Sequence, residues 1–163
     1  MKVPFIDIIR FEKNFFETVS KQTSDLIKNG FFVGGPIVAE CEKSLGLFTN
    51  AAHTIGCANG TDAIQVALRA ATVNKNDKVL LPDMTFWASY ESIINVGAIP
   101  YTLDVSKETL HLTLNSVKEG VEKYQPKAII LVHLYGWACA ETLEIRENFK
   151  KNKIILIEDC AQV

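Results

Sequence analysis

From residue 53 onward the chain alternates between short apolar runs and stretches in which apolar residues return at helical spacing. The runs fall at 53–58, 78–82, 99–104, 127–133 and 153–159, and the amphipathic stretches at 62–71, 87–96, 115–124 and 142–151. Side chains alternate faces at every residue of a strand but return to one face about every 3.6 residues of a helix, so the two patterns can be told apart. The alternation predicts five strands joined by four helices, the signature of an α/β fold with a mostly parallel sheet and flanking helices. Ala128-Ile129-Ile130-Leu131-Val132 and Ile154-Ile155-Leu156-Ile157 are apolar without alternation, as expected of strands covered on both faces.

Upstream the pattern is different. Phe15, Val19, Leu26 and Ile27 recur among polar residues over 11–28 and predict an amphipathic helix that Asn29-Gly30 ends. Phe31-Phe32-Val33-Gly34-Gly35-Pro36 reads as irregular, and 37–48 as helical again. Residues 1–50 are therefore expected to be a helical arm or lead-in, and 51–163 the sheet domain. There is no internal repeat and no low-complexity linker, and Asn74-Lys75-Asn76-Asp77 is an ordinary polar turn.

Composition narrows the classes. A chain of 163 residues, 48% hydrophobic and 22% charged, has the content of a globular domain with a sizeable core. A net charge of −2, with no cluster of Lys and Arg among aromatics, argues against a nucleic-acid partner. Met1-Lys2-Val3-Pro4-Phe5-Ile6-Asp7 lacks the apolar core of a leader, and no run reaches the roughly 20 apolar residues that cross a bilayer, so no membrane partner and a cytoplasmic location are expected. Cys41, Cys57, Cys139 and Cys160 show no CxxC pairing and read as free thiols. His53, His111 and His133 are scattered, so no metal site is expected.

In an open α/β sheet ligands bind beyond the C-terminal ends of the strands, and the unusual polar residues lie at those ends. Asn59-Gly60-Thr61 follows the first run; there Gly60 allows a tight turn, and N–H groups at the helix start could hold an anion, with Thr61 adding a hydroxyl. The plainer reading is a turn with Thr61 or Asp62 as helix cap. Pro82-Asp83-Met84-Thr85-Phe86-Trp87-Ala88-Ser89 follows the second, where Phe86 or Trp87 could stack on a planar heteroaromatic ligand or could pack into the core or an interface. The fourth run ends in His133-Leu134-Tyr135-Gly136, with His133 structural or catalytic. The fifth ends in Glu158-Asp159, where a carboxylate after four apolar residues asks for a partner: a protonated ring nitrogen, a helix cap or an ion pair.

The ordered set Phe32-Val33-Gly34-Gly35-Pro36, Ala58-Asn59-Gly60-Thr61-Asp62-Ala63, Pro82-Asp83-Met84-Thr85-Phe86, Val132-His133-Leu134-Tyr135-Gly136 and Ile157-Glu158-Asp159-Cys160-Ala161-Gln162 resembles the DegT/DnrJ/EryC1/StrS aminotransferases over essentially the whole chain. These are pyridoxal-phosphate enzymes of the aspartate-aminotransferase fold that install amino groups on nucleotide-linked keto-sugars. The resemblance implies that Gly60 and Thr61 bind the cofactor phosphate, that Phe86 stacks on the pyridine ring, that Asp159 pairs with the ring nitrogen, and that Gln162 contacts the phenolic oxygen. It implies supporting places for Glu158 and His133, and packing for Trp87. Cys41-Glu42 stands where the family usually has Phe-Glu, and Cys160 where Ala or Ser is commoner.

The family's Schiff-base lysine lies in a Ser-x-x-x-x-Lys segment downstream of the Glu-Asp-x-Ala-Gln motif, beyond Val163. Lys150, Lys151 and Lys153 read instead as a solvated helix end. The chain is accordingly expected to be the N-terminal part of such an enzyme, with a truncated large domain, no small C-terminal domain and no activity by itself. The complete protein is expected to be a homodimer acting on a nucleotide-sugar and an amino donor such as glutamate, in the family's manner. Two alternatives stay open: a sugar-dehydratase relative in which the lysine is replaced, and a degenerate, non-catalytic fragment.

Overall fold

The computed structural model describes residues 3–6, 8–150 and 152–163. Met1, Lys2 and Asp7 of the N-terminal segment, and Lys151 of the expected helix end, lie outside the described residues. The chain forms two compact units, Met1–Gly56 and Cys57–Val163.

The first unit holds α1 (Phe15–Asn29) and α2 (Pro36–Thr49). The helix expected from residue 11 starts at Phe15, because Phe11 is used in a ring cluster instead. Its ring stacks on Phe15 at 4.1 Å, and Phe16 meets Phe11 edge-on. Gly30 ends α1 in the left-handed conformation, its N–H returning to the Ile27 carbonyl. Gly34 and Gly35 both take positive φ, 65° and 89°, as the irregular segment required.

The second unit contains α3 (Gly60–Ala70), β1 (Lys78–Pro82), α4 (Trp87–Asn95), β2 (Ile99–Leu103), α5 (Leu114–Tyr124), β3 (Ala128–Val132), α6 (Thr142–Lys150) and β4 (Ile155–Asp159). The four strands form one all-parallel sheet in the order β2-β1-β3-β4. The expectation of five strands is corrected: among the described residues, 53–58 form no strand. The Thr54 hydroxyl donates to the Glu42 carbonyl and the Gly56 N–H to Glu42 Oε1 at 2.7 Å, so α2 takes hydrogen bonds that a sheet ladder would need.

Strand periodicity sorts the core into two layers. Val79 and Leu81 of β1 and Ala128, Ile130 and Val132 of β3 pack with Ile64 and Leu68 of α3 and Ile93 of α4. Leu80, Ile129 and Leu131 face the other way, against Val117 of α5 and Ile145 and Phe149 of α6. With helices on both faces, each residue of β3 is buried, which is why that run is apolar without a break. Among the described residues no helix is long and apolar enough to cross a membrane.

Candidate active site

The same two-residue period divides the acidic pair at the end of β4. Ile155 and Ile157 pack into the α3/α4 layer, whereas Ile154 and Leu156 pack into the α5/α6 layer. Asp159 therefore falls on the α3/α4 side and Glu158 on the α5/α6 side. The register sets Val132 beside Asp159, placing the carboxylate at the C-terminal edge of the sheet.

On the α5/α6 side Glu158 is fully engaged. Arg146 Nη2 of α6 pairs with its Oε1, and His133 Nε2 lies 3.3 Å from its Oε2. His133 Nδ1 accepts the Cys139 N–H at 3.0 Å, so the ring proton sits on Nε2 and is donated to Glu158. Cys160 Sγ completes a His133–Glu158–Cys160 group whose ligand atoms lie within 4.8 Å of one another. With Nδ1 accepting the Cys139 N–H and Nε2 donating to Glu158, the His133 ring in this arrangement offers no lone pair towards the group. Burial, with the neighbouring Glu158 and Asp159 carboxylates, pushes the Cys160 thiol up from its ordinary pKa.

On the α3/α4 side lies a cavity of about 440 Å³, lined by Asn59, Gly60, Thr61, Phe86, Asp159 and Gln162 with apolar walls from Ile64, Ala88, Val132 and Leu134. That volume falls within the range of about 300–1,000 Å³ typical of small-molecule sites. The helix cap is Asn59, correcting the alternative of Thr61 or Asp62: Asn59 Oδ1 accepts the Asp62 N–H at 2.9 Å and its Nδ2 donates to Asp62 Oδ2 at 3.0 Å. The first N–H groups of α3 have no intrahelical acceptor and line the cavity wall. Gly60 is the first helical residue and is not among the positive-φ glycines, so no tight turn demands it, another correction. A Cβ there would meet open space.

Phe86 immediately precedes α4 and is 74% exposed. Trp87 is stacked on Tyr90 at 5.2 Å and is not part of the cavity lining. Asp159 Oδ1 accepts the Ala161 N–H and Oδ2 accepts the Ser89 hydroxyl, both at 3.2 Å. Gln162 Oε1 accepts the Tyr135 N–H at 2.7 Å, which fixes the amide so that its NH₂ remains available for a ligand acceptor. Tyr135 holds that geometry with φ 58°, an uncommon value for a residue with a side chain.

Gly60, Thr61, Phe86, Asp159 and Gln162 thus line one cavity, with His133. Sequence reasoning missed Asn59, Ser89 and Ser92. The traces were present: Asn59 stands at a cap position before Asp62, and Ser89 and Ser92 interrupt the apolar face of an amphipathic stretch.

The chain belongs to the DegT/DnrJ/EryC1/StrS aminotransferase family, whose profile matches residues 14–163. It is 33% identical to a pleiotropic regulatory protein of Geobacillus stearothermophilus, over 99% of this chain and 43% of that protein. It is also 33% identical to the UDP-2-acetamido-2-deoxy-3-oxo-D-glucuronate aminotransferase of Pseudomonas aeruginosa, over 98% of this chain and 44% of the relative. In structure it is similar to NtdA of Bacillus subtilis, crystallised with bound cofactor PMP, at a TM-score of 0.89 and 29% identity over 99% of this chain and 37% of NtdA. The chain therefore spans less than half the length of these relatives.

Proposed function

We propose that the full protein is a pyridoxal 5′-phosphate-dependent aminotransferase passing an amino group from a donor such as glutamate to a nucleotide-linked keto-sugar, and that this chain supplies much of its cofactor cradle. A homodimeric assembly and a cytoplasmic setting belong to the same reading. The observation that carries it is one cavity combining a capped helix N-terminus, an exposed aromatic ring, a carboxylate held by two donors and an amide with its NH₂ available.

Each feature matches one chemical group of the cofactor. The N–H groups at Gly60 and Thr61 suit a phosphate dianion, and the positive end of the α3 dipole favours it further. The Phe86 face suits a planar pyridine ring and shields it from water. With the cofactor bound, Asp159 would hold a proton on its ring nitrogen, and the Gln162 NH₂ would donate to its phenolic oxygen. When bound, pyridoxal phosphate supplies an electron sink for bonds at the amino-bearing carbon. Glu158, engaged by Arg146 and His133, braces the strand end and leaves Asp159 as the carboxylate lining the cavity.

Titration of the full protein with pyridoxamine 5′-phosphate, and separately with pyridoxamine, tests the reading. Saturable binding that depends strongly on the phosphate is expected, followed by amino transfer from glutamate to a UDP- or dTDP-linked 3-keto-sugar. Absence of binding, or equal affinity for the two amines, would refute it.

A further inference from the structure

We propose that α4 gauges the cavity, with Ser89 and Ser92 as positioning residues: Ser89 orients the Asp159 carboxylate towards a ring nitrogen, and Ser92 fixes the anion-binding end of α3. This rests on the pyridoxal-phosphate reading and extends it to residues outside the cavity lining.

The two serines lie three residues apart on one face of α4, and both are 0% exposed. A buried hydroxyl is costly unless it finds a partner. A helical serine commonly satisfies itself on the carbonyl four residues back, but neither of these does. Ser89 Oγ donates to Asp159 Oδ2, 70 positions along the chain, and Ser92 Oγ donates to the Thr61 carbonyl at 3.0 Å, 31 positions back. One helix face is thereby tied to the strand end that presents the carboxylate and to the first turn of the helix that presents the N–H groups.

The Ser89 link has a second member. Thr85 Oγ1 lies 2.9 Å from Ser89 Oγ. Since the Ser89 proton goes to Asp159, Thr85 donates to Ser89, and the relay Thr85–Ser89–Asp159 polarises the hydroxyl that holds the carboxylate. With the Ala161 N–H on the other oxygen, both oxygens of Asp159 are pinned, and each keeps a lone pair for a ligand. Without Ser89 the carboxylate keeps one donor and can rotate. Without Ser92 the first turn of α3 loses its tie to α4 while Asp159 is untouched.

The two roles separate experimentally. The full chain is loaded with ring-¹⁵N pyridoxamine 5′-phosphate. The ¹⁵N resonance reports protonation of the ring nitrogen, and the ratio of pyridoxamine to pyridoxamine 5′-phosphate dissociation constants reports the phosphate's contribution. Ser89→Ala is expected to move the resonance towards the neutral-pyridine position and leave the ratio within about twofold. Ser92→Ala is expected to lower the ratio by about tenfold, on the scale of one lost hydrogen bond, with the resonance unchanged. Ser89→Cys and Ser92→Cys, similar in size but weak donors, should give intermediate values and serve if an alanine variant does not fold. Wild-type readouts in both alanine variants would overturn the gauge alone, and so would equal loss of both readouts in each. Failure of the wild-type chain to bind the phosphate ester would overturn the cofactor reading and the gauge with it.

Discussion

Gly136→Ala should loosen the site from a position outside its lining. Gly136 sits at φ +83°, and a Cβ added there would lie 2.9 Å from the Gln162 carbonyl oxygen. Left-handed backbone costs a residue with a side chain about 1–2 kcal/mol. The clash is with backbone, so a rotamer change cannot relieve it. Moving Gln162 away also threatens the Tyr135 N–H bond to its side chain, now 2.7 Å, worth about 0.5–1.5 kcal/mol. Together these give a loss of about 2–3 kcal/mol, a large share of a typical stability of roughly 5–15 kcal/mol. Equilibrium urea unfolding of the full chain is the assay. With a slope of about 1–3 kcal/mol/M, the midpoint should fall by roughly 0.7–3 M, and affinity for pyridoxamine 5′-phosphate should fall with it. Gly60→Ala is the control, because no positive φ and no neighbour within 4 Å constrain that position. Its midpoint should stay at or slightly above wild type. A Gly136→Ala midpoint within a few tenths of a molar of wild type, or equal damage from both variants, would refute the reasoning.

Asp159→Asn should keep the fold, since the amide oxygen can still accept the Ala161 N–H, yet weaken pyridoxamine 5′-phosphate binding by roughly 30-fold or more through loss of a charged partner; unchanged affinity would show that another group meets the ring. Asn59→Ala removes the α3 cap and should cost about 0.5–2 kcal/mol in urea unfolding; an unaltered midpoint would mean that the first turn is held by other contacts. His111 is buried, and among the described residues its Nε2 has no hydrogen-bond partner. Burial lowers its pKa, a hydrogen bond to the Trp137 backbone opposes this, and His133 adds to the lowering. The unfolded chain therefore takes up the proton first as pH falls, so stability present above about pH 6.5 is lost below it; urea midpoints between pH 8 and pH 5 should drop less in His111→Gln than in wild type, and parallel profiles would contradict the assignment. Cys160, with its thiol held protonated, should react with iodoacetamide at pH 8 more slowly than free N-acetylcysteine, as read by peptide mass spectrometry; faster reaction would contradict it.

The sequence by itself determined the parallel α/β class, since runs such as 128–132 without alternation can be satisfied only with helices on both faces. It also marked Phe86, Asp159 and Gln162 at strand ends and Gly60 and Thr61 at a helix start, although the strand expected before that helix is absent among the described residues, because turn and cap chemistry is local and leaves its mark on adjacent residues. Residues 53–58 looked like a strand because an apolar run records burial or partnering without naming the partner; hydrogen bonds from Thr54 and Gly56 to Glu42 decided the matter. The separate duties of Glu158 and Asp159 likewise required the sheet. Adjacent in sequence, they are sent to opposite faces, one to Arg146 and His133 and the other to Ser89. Ser89 and Ser92 showed as breaks in an apolar helix face, but what they hold was illegible for the same reason. A buried hydroxyl reveals its purpose only through the atom it reaches, and those atoms, on Asp159 and Thr61, are brought within 3.2 Å and 3.0 Å by tertiary packing alone.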